Sequence, residues 1–369
     1  MSEQLSEIVQ KKIRDKGPIS FRDFMEMALY YPEFGYYTST KEKFGKEGDY
    51  FTAPFFTNIY GSVIAKQLEE MWFLTGKKEF TIVEYGAGNG LLCADILNQL
   101  KKNTPFYKIL TYCIIEKSEP LRKEQKRNLA EHKISWVNSI EEISPFTGCV
   151  LANEVLDNFS VHKVVKKQNE LTEVFIDHIN EFCEVLKPAQ YHLKEYFKQL
   201  NVELPNDFCA EINLQAVDWL KKISASLTKG FVITIDYGFP SSELYKSYRS
   251  LGTIICYYKH SVNDQPYSHI GEQDITAHVN FSALDHFGSK NGLMNCGFTT
   301  QSHFLSGLGL TEHLRELEVK EKNIFDFTKN LMVLHTLLLS MGRKFKVLIQ
   351  QKGMQKPRLP GLQFCQPLV

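Results

Sequence analysis

The sequence has no excess of charge, with 43 basic residues balancing 43 acidic ones over 369 positions. Nothing in that balance steers the chain toward nucleic acid or an anionic membrane surface. Long hydrophobic runs are missing too. The most apolar stretch, Leu331 to Leu339, is far shorter than the roughly 20 residues that a membrane span requires. The eight cysteines include no C-x-x-C pair, which leaves neither a redox motif nor a zinc ribbon to read. Cys113 and Cys149 sit inside apolar runs and read as small buried hydrophobes of a reducing compartment. His260, His269, His278 and His286 recur with Glu272 and Asp274 among them, yet no two form a close H-x-x-x-H pair. No metal site is therefore expected. The stretch after Met1 has no signal-peptide core and no Arg- and Ser-rich transit pattern. The expectation is a cytoplasmic protein with neither a membrane nor a nucleic-acid partner.

What the chain does contain is organised around Phe80-Thr-Ile-Val-Glu-Tyr-Gly-Ala-Gly-Asn-Gly90. Phe80 to Val83 is a β-branched apolar run that reads as a buried parallel strand. Gly86, Gly88 and Gly90 make a tight turn that can bring backbone N–H groups to a ligand. Leu91, Leu92, Ile96, Leu97 and Leu100 then recur at helical spacing. Strand, glycine turn and helix open a nucleotide-binding βαβ unit. A dinucleotide fingerprint G-x-G-x-x-G needs its third glycine at position 91, and that position is Leu91. The pattern is instead E-x-G-x-G-x-G, with Glu84 near the end of the strand. A second apolar run, Ile109 to Ile115, ends in Glu116, about 30 residues after Gly86. A carboxylate there can accept hydrogen bonds from both hydroxyls of a ribose.

Four segments together, Gly17-Pro-Ile-Ser-Phe21, Tyr31-Pro-x-x-Gly-Tyr-Tyr37, Gly48-Asp-Tyr-Phe-Thr-Ala-Pro54 and Glu84-x-Gly-x-Gly-x-Gly90, resemble the MidA-like family of class I S-adenosylmethionine-dependent methyltransferases. Ala152 to His162, Glu211 to Leu214, Gly252 to His260 and Gly271 to Phe281 extend the resemblance. It implies an α/β fold with a doubly wound, seven-stranded, mostly parallel sheet. It also implies S-adenosylmethionine as cofactor and an arginine of a protein client as acceptor. The family includes a mitochondrial factor that methylates a respiratory complex I subunit during assembly. By the same resemblance Glu84, Gly86, Gly88, Gly90, Glu116 and Asn153 hold the donor, and Asp49 and Thr52 lie in a loop that covers it.

An arginine acceptor stays protonated, so carboxylates must orient it and take its proton. Glu154 and Asp157, after the fourth strand, are candidates at the sheet edge where open α/β folds bind ligands. Glu211 is a third candidate, and His260 a substrate-facing one. The expected organisation is a helical and aromatic segment over 1–78 and a core over 79–238 carrying a strand-pair insertion near 160–205. An acceptor-site insertion over 239–285, closing helices and strands over 286–353, and a loosely ordered tail over 354–369 complete it. Tyr257, Tyr258, Tyr267, Glu272 and Asp274 make the 239–285 insertion the expected acceptor wall. Two rival readings remain: a non-catalytic assembly chaperone, and a nucleotide-dependent oxidoreductase, which Leu91 disfavours.

Overall fold

The structure is a computed structural model describing residues 2–41, 43, 45, 48–49, 53–312, 315, 328, 331–333 and 335–368. Its centre is a sheet of eight strands: β1 (Phe80–Tyr85), β2 (Leu110–Ile115), β3 (Ile134–Val137), β4 (Phe146–Asn153), β5 (Leu227–Phe239), β6 (Val279–Asn280), β7 (Met294–Thr300) and β8 (Phe345–Lys352). Seven of them run in the order β7-β8-β5-β4-β1-β2-β3, and the two-residue β6 pairs with the end of β5. The sheet thus has one strand more than the seven expected. From β3 across to β5 every pairing is parallel, and β8 alone runs antiparallel to both its neighbours.

Side chains alternate between the two faces, and both faces are covered. Ile82, Leu151, Ile233 and Ile235 pack on one side with helices Ile59–Thr75 and Leu91–Leu100. Val83, Val150, Ala152 and Val232 pack on the other, with helices Leu214–Ser226 and Phe281–Lys290. That is why these strands read as continuous apolar runs rather than as alternating ones. Helix Phe21–Tyr30 begins where the Ser20 hydroxyl accepts from the Asp23 N–H at 3.1 Å.

The expected strand pair in the insertion is a five-stranded sheet. His162–Lys167, Glu170–His178 and Phe182–Pro188 are joined by Cys209–Ile212 and by the distant Ile19–Ser20. Leu5, Val9, Phe21 and Phe24 pack against Val174 and Ile176 of this sheet and against Cys256 and Ile275. One apolar core therefore ties the N-terminal helices, the insertion and residues 255–277 together over the carboxyl ends of the central strands. The tail is also placed, contrary to expectation. Leu359 and Leu362 are buried, and Gln366 bridges to Phe298. Among the described residues no helix is long and apolar enough to cross a membrane.

Candidate functional site

The carboxyl ends of β1, β2, β4 and β5 open into a cavity of about 670 Å³, a size that suits a cofactor with part of a second molecule. One half is built by the glycine turn. Gly86 and Gly88 hold φ of 60° and 55°, a left-handed conformation that side chains resist. A Cβ on Gly86 would also stand 3.1 Å from Val155 Cγ2. Gly90, at φ 89°, is the N-cap of helix Leu91–Leu100 and is not among the cavity-lining residues.

Three amides of the turn are used within the fold. Gly86 N–H donates to the Ile115 carbonyl at 3.0 Å and Gly90 N–H to the Ala87 carbonyl at 2.8 Å. Leu91 N–H, the first of the helix, is taken by Asn89 Oδ1 at 3.2 Å. Ala87, Gly88 and Asn89, between them, line the cavity.

Two acids mark that half. Glu116 Oε1 accepts from Ser118 N–H at 2.9 Å and Oε2 from Gln125 Nε2 at 3.1 Å, which leaves acceptor capacity on both oxygens. Gln125 also donates to the Gly88 carbonyl at 2.8 Å and is itself held by Trp136. One amide therefore locks Glu116 to the glycine turn. Glu84 accepts from the Tyr112 hydroxyl at 2.8 Å. Burial outweighs that bond and lifts the Glu84 carboxyl to about 7. Glycine turn, spare acceptor positions and cavity size all fit S-adenosylmethionine.

The other half is acidic and aromatic. Glu154, Asp157 and Asp274 line it with Tyr30, Tyr37, Tyr237 and Tyr257. Glu154 follows β4 at φ 57°, a conformation worth on the order of 1–3 kcal/mol of strain in a non-glycine residue. Its N–H donates to the Ile235 carbonyl at 2.8 Å, and Asn153 Nδ2 reaches its Oε1 at 3.2 Å. Asn153 in turn accepts from the Tyr60 hydroxyl at 2.6 Å. Asp274 accepts from Tyr37 at 3.0 Å and from Asn158 at 3.1 Å. Burial, reinforced by Asp157, pushes its carboxyl well up. Asp157 is 4% exposed, and its Oδ1 is buried without a hydrogen-bond partner. The Tyr237 hydroxyl lies beside it, equally buried and near enough to stabilise its charged form against the upward pull of burial, which still holds the carboxyl at about 6. The far wall is basic, with Arg343, Lys344 and Lys346.

Several expected residues lie elsewhere. Asp49 is a buried clip that accepts from Tyr36 at 2.9 Å, from Lys41 at 2.9 Å and from Lys259 N–H at 2.6 Å. It joins the N-terminal segment to residue 259 and does not line the cavity. Thr52 lies outside the described residues. Glu211 faces Thr253, whose N–H and hydroxyl donate to it at 3.0 and 2.8 Å, so the smaller sheet uses it internally. His260 is exposed, with φ 60°, and follows Lys259 at φ 47° in the two-residue turn between paired Tyr258 and Ser261. That turn type demands the backbone angles and faces solvent. Of the expected acceptor wall, Tyr257 and Asp274 line the cavity. Tyr258 instead stacks on His269 at 4.0 Å, Tyr267 packs on Phe24, and Glu272 is not among the lining residues. The histidine that does line the cavity is His278, which burial drives down to about 4.

A strand order with one antiparallel member, an E-x-G-x-G-x-G turn and a second acid at the end of the next strand match the class I methyltransferase architecture. Residues 63–299 match the family described as "Putative S-adenosyl-L-methionine-dependent methyltransferase". The chain belongs to this family, the MidA-like methyltransferases, and S-adenosylmethionine is its cofactor. It is similar to Protein arginine methyltransferase NDUFAF7, mitochondrial, of Mus musculus, with 26% identity over 83% of this chain and 74% of the relative. The homolog of that protein in Caenorhabditis elegans is 26% identical over 93% of this chain and 85% of its own. A crystal structure of a superfamily member from Burkholderia thailandensis, bound to S-adenosyl-homocysteine, superposes with a TM-score of 0.89. It is 29% identical and is matched over 99% of this chain and 95% of that one.

Proposed function

We propose that this methyltransferase modifies an arginine side chain of a protein client. The observation that carries the reading is the cluster of three acids, Glu154, Asp157 and Asp274, at the cavity wall among four tyrosines. A guanidinium brings five N–H donors and a flat face, so it can pair with clustered carboxylates while stacking on rings. Tyr30 and Tyr37 already stack at 5.6 Å and offer such a face. The names of the relatives, as arginine methyltransferases, agree with it. The motif resemblance narrows the proposed client to a respiratory-complex subunit. Bound S-adenosylmethionine supplies the activated methyl group. Glu154 and Asp157 orient the guanidinium and receive its proton, and Glu84, Glu116 and the glycine turn hold the donor.

The test is incubation of the purified protein with methyl-labelled donor and a protein extract, followed by hydrolysis and amino-acid analysis. Label in methylated arginine is the expected result. Label in lysine, histidine or glutamine overturns the acceptor. No label from a protein that still binds the donor returns the chain to a non-catalytic client binder.

Donor binding should also depend on pH through Glu84. In the ionised form it accepts charge-assisted hydrogen bonds from the donor; protonated, it loses the charge and half of its acceptor capacity. With its carboxyl at about 7, affinity should weaken approaching tenfold per unit below that pH. The stability of the ligand-free protein runs the opposite way. A carboxyl raised on folding contributes stability that is fully present below its ordinary 4.5 and lost as pH rises through about 7. Glu84→Gln should flatten both dependences, read by calorimetry and by thermal melts between pH 5 and 8. A donor affinity equally pH-dependent in the variant would remove Glu84 from the donor site.

A further inference from the structure

The turn that carries both acceptor carboxylates is held by a residue that never touches the cavity. Asp236, at the end of β5, is fully buried and is not among the lining residues. Its Oδ2 accepts from three consecutive N–H groups, Val155 at 3.2 Å, Leu156 at 2.9 Å and Asp157 at 3.3 Å. Its Oδ1 accepts from Tyr237 N–H at 2.9 Å. All four of these bonds come from backbone amides, and three come from the segment that follows Glu154.

That segment needs such an anchor. Glu154 is held in a left-handed backbone conformation, which side chains leave unless surrounding structure imposes it. Further ties hold the same turn: Asn213 Nδ2 to the Leu156 carbonyl at 3.0 Å, and Ala277 N–H to the Asp157 carbonyl at 2.9 Å. These fix its carbonyls. Among the described residues only Asp236 gathers its amides. A hydrophobic residue at 236 would leave three buried N–H groups without partners, whereas a carboxylate accepts all of them at one oxygen.

We infer that Asp236 is the positioning residue of methyl transfer, setting the aim of Glu154 and Asp157 through the amides of residues 155–157. The inference rests on the acceptor role proposed for those two acids. Asp236 also shares β5 with Tyr237, so one strand end fixes the carboxylate pair and the ring beside it.

The test is a cycle of variants read by turnover, client KM, donor affinity and melting temperature. Asp236→Asn keeps the shape but turns one acceptor into a donor facing an N–H. Turnover should fall at least tenfold, with donor affinity within about threefold. Added to Glu154→Gln/Asp157→Asn, it should cost nothing further, because its route to the acceptor is already removed. A loss that multiplies with that of the double variant overturns the inference. So does a fall in melting temperature and donor affinity in step with turnover, which marks a merely structural acid. Full turnover in the double variant overturns the acceptor reading itself and, with it, the role of Asp236. Amide hydrogen exchange on the unaltered protein needs no variant to fold. Slow exchange at Val155, Leu156 and Asp157 is expected, and exchange at loop rates overturns the anchor.

Discussion

Gly88→Val is expected to abolish donor binding, weakening it by more than about 100-fold, or on the order of 3 kcal/mol. Two effects combine. Gly88 sits at φ 55°, where a β-branched side chain is most strongly resisted, at about 1–2 kcal/mol. Its carbonyl is also one of two acceptors for the Gln125 amide, the other being Glu116 Oε2 at 3.1 Å. A turn that relaxes to accommodate valine pulls Gln125 and loosens the acid expected to hold the ribose. Fold stability should suffer far less than binding, because the strain is confined to a surface of the cavity. Calorimetric titration with S-adenosylmethionine beside a thermal melt separates the two. Binding within threefold of the parent would mean that this turn does not cradle the donor.

The second large effect is expected from Glu154→Gln. The side chain keeps its shape and loses its charge. Glu154 lies where β4 ends, beside Asp157 and across from the glycine turn in the same cavity. An interaction made with charge that develops during transfer is worth about 100-fold or more in turnover when removed. Donor affinity should stay within a few-fold, since Glu84 and Glu116 are untouched. Single-turnover rates and donor titrations on the same preparation decide it. Equal losses in both would make Glu154 a cofactor residue or a prop of the turn.

The donor half of the site was legible because its signals are local. Strand, glycines and helix follow within 21 residues from Phe80 to Leu100, and the fold keeps neighbours in sequence as neighbours in space. The acidic and aromatic half is assembled from distant stretches, and there residue type alone misleads. Asp49 and Glu211 are acids in family segments, but partners at Lys259 and Thr253 consume them. No periodicity announces such a pairing across 210 or 42 positions. His260 fell to turn chemistry, while His278, 18 residues on, reached the cavity. Asp236 was visible as the last acid of a strand, yet its three amide partners lie 79 to 81 residues earlier. The smaller sheet was under-read for the same reason. Its hairpins are local, whereas Ile19–Ser20 and Cys209–Ile212 join from afar.

The placing of β8 governs when a newly made chain can work. This strand, Phe345–Lys352, slots between β5 and β7, so it must enter a sheet whose other members left the ribosome long before. Between the end of β5 at Phe239 and the end of β8 lie 113 residues, on the order of ten seconds of synthesis. Throughout that interval β5 presents an unpaired apolar edge, the kind that recruits chaperones or sticks to other chains. Tyr237, beside Asp157, faces Phe345 in the β5–β8 register. The cavity wall around Tyr237 is consequently finished only when β8 is in place, so a chain that has already shaped its glycine turn still lacks part of its site until that strand docks.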